Sequence, residues 1–167
     1  PFSYIKSRSL YSLDERFQQT VQTIKSIRDY IPNSCIVLID NSEDLPSNYT
    51  DYLNRNVDVF ATSSSQKLKY FTDVGKFKAF AELGQLNELY TMLLHRIDVG
   101  GFRNVFKISG RYTVLPTFDI GQYNALPDAN IFKRDESVTD RQYYYTCFYK
   151  IAPRNFHAYF DTLNRIF

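Results

Sequence analysis

The chain has no tryptophan, a single methionine and only two cysteines. Cys35 and Cys147 each sit in an apolar, strand-like run, no C-x-x-C pair occurs, and the two histidines are far apart in sequence. A zinc site therefore has little support, and both thiols are expected to be free and buried. No apolar run approaches the ~20 residues needed to cross a membrane, and no signal-like segment opens the chain. The expectations are no membrane span and a cytoplasmic location. Formal net charge is +2 and the basic residues form no block, whereas nucleic-acid binding through the phosphate backbone needs a dense basic stripe. The patterns G-x-x-x-x-G-K-[ST] and G-x-S-x-G are both missing, which argues against a P-loop and against a hydrolase triad.

What is present is an aromatic-rich chain of globular composition. Fourteen phenylalanines and fourteen tyrosines read either as a Phe-rich core edged by tyrosine or as a stacking surface for bases or sugars. A hydrophobic share of 44% with 23% charged residues argues against disorder. The length of 167 residues suits one domain spanning 1–167. The chain opens on Pro1 and stops within or just after a helical pattern, so a truncated piece is expected.

Periodicity divides the chain. Phe17, Val21, Ile24, Ile27 and Ile31 recur at helical steps, predicting a helix over Asp14–Ile31 with Ser12 and Glu15 as a capping box. Cys35–Ile39 is a short β-branched run, expected as a strand buried on both faces. Leu45–Asn56 reads as a polar linker with one helical turn near Tyr49–Leu53, and Val57–Ala61 as a second strand. A long helix is predicted over Lys76–His95, with Gly84 inside it as a close packing point. Further strands are predicted at Val105–Ser109, Ile131–Lys133 and Gln142–Ile151, then a final helix opened by Pro153. Strands separated by helices predict a layered α/β fold with a mostly parallel central sheet.

Four places could carry chemistry, and each has a plain structural counterpart. Asp40-Asn41-Ser42 ends the first strand, where open α/β sheets place ligands, or is simply a turn. Asp73-Val74-Gly75-Lys76 precedes the long helix, whose N-terminal amides favour anions, or is an ordinary helix start. Lys107-Ile108-Ser109-Gly110-Arg111-Tyr112 closes a strand with a glycine and two cations. Alternation points Lys107, Ser109 and Arg111 to one side if the strand stays extended. This suits an anionic ligand, or a polar surface with a bend. Lys133-Arg134-Asp135-Glu136 offers Asp135 or Glu136 as a general base, or is a solvated loop. His95 and His157 fall on predicted helices, where packing or solvation is the simpler role.

Three stretches taken together, RSLYSLDERFQQTVQTIKSIRDYIPNSCIVLIDNS, VGKFKAF and VFKISGRYTV, resemble the GT-A family of nucleotide-diphospho-sugar transferases, including bacterial and viral members with a K-I-S-G-R-Y string. The resemblance implies a three-layer Rossmann-like GT-A-type fold, a nucleotide-sugar donor and a carbohydrate acceptor. It puts Asp40 near the nucleoside, Lys76 near the pocket and the Lys107–Arg111 segment in the place of the family's metal-binding motif. The substrate-binding candidates are thus Arg8, Asp40, Asn41, Lys76, Lys107, Ser109, Gly110, Arg111 and Tyr112, and the general-base reading supplies Asp135 and Glu136 as the catalytic candidates. The family's metal-binding D-x-D is absent from this chain. Manganese or magnesium, which that motif holds, is then replaceable by Lys107 and Arg111 on the diphosphate. The family's first strand could be supplied only by Phe2–Ile5. The alternatives are a non-catalytic nucleotide-binding or assembly module on the same fold, and a nucleotidyltransferase that prefers free triphosphate.

Overall fold

A computed structural model describes residues 11–40, 42, 45–63, 65–66, 78–93, 96–134 and 144–166. Helix α1 spans Leu13–Tyr30, within a residue of expectation at each end. Its start is the predicted capping box: the Glu15 amide donates to Ser12 Oγ at 3.2 Å, and the Ser12 amide donates to the Glu15 carboxylate at 2.7 Å. The Ser12 amide and, at 2.8 Å, the Ser12 hydroxyl both donate to the Glu15 carboxylate and hold it below its ordinary pKa. Pro32 ends the helix, and Asn33 takes the left-handed conformation (φ 59°) that asparagine tolerates better than most residues.

Strand β1 (Val37–Asp40) pairs in parallel with β2 (Val59–Thr62), in the register Val37↔Val59 to Asp40↔Thr62. Between them lies helix α2, Ser47–Asn56, a full helix where one turn was expected. Its sequence is polar, and tertiary packing completes it. The Tyr49 ring stacks on Phe17 of α1 at 3.9 Å between centroids, Tyr52 meets the same ring edge-on, and Leu53 is buried.

The β1–β2 pair is covered on both faces. Leu38 and Phe60 pack against Ile24, Leu53 and Val57 on the α1–α2 side, while Val37, Ile39 and Val59 pack against Leu89 and Leu93. The last two belong to helix α3, Lys78–Leu93. The other flank of α3 carries Tyr90, Leu83 and Leu86, which pack against Phe156, Phe160 and Leu163 of helix α5 (Phe156–Ile166). Gly84 is buried inside α3. Helices on both sides of a parallel strand pair are the expected α/β layering.

The remaining strands depart from the parallel expectation. Strands β3 (Val105–Ile108), β4 (Ile131–Arg134) and β5 (Tyr144–Ile151) form an antiparallel sheet in the order β3-β5-β4. For β4 and β5 the physical reason is the length of the connection. Only residues 135–143 separate β4 from β5, too few for the crossover of a dozen or more residues that parallel neighbours require. Among the described strands, then, only β1 and β2 are parallel.

The antiparallel sheet has two distinct faces. Phe106 and Phe148 form an aromatic cluster with Phe118 and Tyr123, at centroid separations of 5.1–6.2 Å. Tyr123 lies on helix α4 (Ile120–Asn124), a short element not foreseen, capped at its start by Asp119. Lys150, wholly buried on that face, donates to the Leu126 carbonyl and, at 3.4 Å, to the Tyr123 carbonyl. Carbonyls at a helix C-terminus favour a cation, although burial pushes the amine's pKa down. On the opposite face, Val105, Lys107, Tyr149 and Ile151 look towards α3 and α5.

The cysteines differ from expectation. Both are free, but Cys35 is exposed and Cys147 only half-buried. Strand β1 begins two residues after Cys35, which leaves the thiol in the turn that follows α1. No described helix is long and apolar enough to cross a membrane.

Candidate functional site

The C-terminal ends of β2 and β3 lie along one helix. Ser63, just past β2, donates its hydroxyl to the Glu88 carboxylate of α3. Ser109, just past β3, donates to Glu82 Oε1 at 2.7 Å. Six positions on a helix advance about 9 Å along its axis, so α3 holds both strand ends within about two turns of one helix. Strand β1 ends at the same edge, because its Asp40 carbonyl accepts from the Ser63 amide at 2.9 Å. The carboxyl ends of strands are where layered α/β proteins place their ligands.

Lys107 and Ser109 do share a side, as alternation predicts. The Lys107 amine donates to Ser109 Oγ at 2.8 Å, to the Glu82 carboxylate and to the Thr146 carbonyl. An ammonium has three N–H donors, and all three are engaged within the protein. The side chain is 10% exposed, and its amine lies 5.7 Å from the Tyr149 ring centroid. The Tyr149 hydroxyl is hydrogen-bonded to that of Tyr159 at 2.7 Å. Burial, the Tyr159 contact and the nearby Glu82 charge all push the Tyr149 hydroxyl's pKa well up, and burial raises that of Tyr159.

Arg111 does not continue the alternation. The strand stops at Ile108, and the Arg111 and Tyr112 amides both donate to the Ser109 carbonyl, at 2.7 and 3.1 Å. This turn leaves Arg111 exposed, with its guanidinium 6.0 Å from the Tyr11 ring centroid. Tyr112 is 53% exposed. Gly110 sits against α1, its carbonyl accepting from Thr20 Oγ1 at 3.3 Å. A methyl group there would meet Thr20 Oγ1 at an ordinary 3.5 Å. The loop continues along α1 to Val114, whose amide donates to the buried Ser26 hydroxyl at 2.9 Å.

Asp40 uses its carboxylate locally, accepting from the Ser42 amide at 2.6 Å, the asparagine-type turn geometry that also suits aspartate. The described residues of this edge do not fit a divalent cation. Asp40 is engaged with Ser42, Glu82 is neutralised by Lys107, and Glu88 holds Ser63, so no carboxylate set converges. Among the described residues no group of three metal-ligating side chains is found anywhere.

The structure therefore brings Lys107, Ser109, Gly110, Arg111, Tyr112 and Asp40 to one edge. Arg8, Asn41, Lys76, Asp135 and Glu136 lie outside the described residues. His157 bonds through Nδ1 to the Tyr90 hydroxyl at 2.9 Å, away from this edge. Sequence reasoning missed Glu82, Glu88, Ser63 and Tyr149. No motif marks the two glutamates, which are ordinary polar positions of a helical pattern, and only the packing of α3 aims them at the strand ends. Compared with known protein families, with curated proteins and with solved structures, the chain has no significant match.

Proposed function

We propose that this chain is the nucleotide-sugar-binding part of a glycosyltransferase-like domain, and that it acts at the edge where β1, β2 and β3 end. The observation that carries this reading is the Ser109–Tyr112 turn. It projects an exposed arginine just beyond a strand end that lies beside two others, with the Tyr11 ring near its guanidinium and the exposed Tyr112 next in the chain. A guanidinium forks onto phosphate oxygens, and an aromatic ring accepts a base or sugar face. In transfer, the acceptor hydroxyl forms a bond to the sugar's anomeric carbon as the nucleoside diphosphate leaves. Arg111 stabilises the charge developing on the leaving group. Asp135 or Glu136, which follow β4 in the sequence, takes the acceptor's proton.

The test is thermal stability with UDP-, GDP- and CMP-sugars, each with and without manganese. A ligand that binds only the folded state raises the melting temperature. One nucleotide class is expected to do so without metal, and Arg111→Ala is expected to remove the shift. An unchanged shift in that variant takes Arg111 out of the site.

One observation favours a second reading, a nucleotide-binding or assembly module without turnover. All three Lys107 donors are engaged internally, so of the two cations in the K-I-S-G-R-Y string only Arg111 is free to meet a phosphate. Nucleotide binding with no sugar release distinguishes this module from the transferase.

A further inference from the structure

We infer a second anion site at the opposite end of the antiparallel sheet, in a two-lobed cleft that takes a small phosphate-bearing molecule. The cleft is formed where the chain enters β3 and leaves β5. These two strand ends are neighbours because Val105 pairs with Ile151. One lobe, of about 410 Å³, is lined by Arg96 and Phe156, and the other, of about 460 Å³, by Arg103 and Arg154. Asp98, Val99, Gly100 and His157 border both lobes, so the two spaces open beside the same short turn.

The electrostatics favour an anion. Three arginines face two carboxylates. One of these, Asp128, pairs with Arg154 at 3.1 Å, and the other, Asp98, accepts from the Gly100 amide at 3.0 Å. Arg96 and Arg103 make no ion pair among the described residues and are both exposed. Holding an arginine on each lobe suits a ligand with two anionic oxygens or groups, since the guanidinium binds phosphate oxygens bidentately. The Asp98–Gly100 bond also fixes the backbone of the 3₁₀ turn Val99–Gly101, so the cleft floor is set before a ligand arrives. None of these residues belongs to the Arg111 edge, and the inference does not depend on the transferase reading.

Inorganic pyrophosphate is the probe, titrated into the full chain carrying Arg111→Ala so that the strand-end edge is disabled. Amide chemical-shift changes are expected at Val99–Gly101, and Arg103→Ala in that background is expected to weaken binding about tenfold, the loss of one charged hydrogen-bonding group. Arg103→Glu should abolish it. Both substitutions are at an exposed position, so the melting temperature should hold. Pyrophosphate shifts confined to Ser109–Tyr112, an affinity unaltered by Arg103→Ala, or no binding at millimolar probe would each overturn the inference. Loss of nucleotide-sugar binding in Arg111→Ala alone, with pyrophosphate still perturbing Val99–Gly101, would separate the two sites.

Discussion

Lys107 and Glu82 are an ion pair closed in by Ser109, Thr146 and the Tyr149 ring, and its consequences are measurable. Removing one partner strands the other's charge in a partly buried setting. Glu82→Gln is expected to destabilise the fold by about 2 kcal/mol, read by urea denaturation. Lys107→Met added to it should recover part of that loss, and strictly additive effects would show that the pair is not coupled. Tyr149 gives a pH prediction. Its hydroxyl pKa is raised in the folded state, so above the ordinary value of 10.0 the unfolded chain loses a proton that the folded chain keeps. Stability should therefore fall as pH rises past 10, and Tyr149→Phe should flatten that fall. Glu15 works in the other direction. Its carboxyl is depressed from 4.5, so its contribution is complete above that value and fades as pH drops through the folded pKa. At the residue scale the sequence was partly legible. Ser12 and Glu15 carry a local signal three residues apart, whereas the Glu82–Ser109 contact joins positions distant in the chain.

Helix α2 shows what periodicity can and cannot reveal about an element. The stretch Ser47–Asn56 offers only Tyr49, Tyr52 and Leu53 as an apolar face, too little to distinguish a helix from a linker with one turn. Its stability comes from Phe17, on another helix, and from the core beneath Leu53. Leu53→Ala is expected to cost about 3 kcal/mol, with hydrogen-exchange protection lost first in α2 and at its contact with Ile24. Preserved α2 protection in that variant would mean that the helix stands on local propensity. By contrast, α1, α3 and α5 carry long 3.6-residue stripes and were legible almost to their ends. The short α4 was not, because its single turn is specified by Asp119 at one end and by Lys150, from a strand, at the other.

At the level of the molecule, the sequence indicated an α/β layering and that much is observed around β1 and β2. The short 135–143 connection already required β4 and β5 to run antiparallel, but the direction of β3 was not legible, since a run of β-branched and aromatic residues has the same pattern whichever way its neighbour points. The Arg111 prediction belongs at this scale too, because the edge it tests exists only once three strand ends are assembled. The assembly runs through α3. Its Leu89 and Leu93 close one core cluster against the parallel pair, and its Tyr90 closes another with Phe156, Phe160 and Leu163. Neither sheet can shed its cover without baring a flank of the same helix. Melting followed by far-UV signal and by tyrosine fluorescence should accordingly give coincident transitions, and Tyr90→Ala should lower both midpoints together. A helix that is common property of two sheets makes them thermodynamically one body.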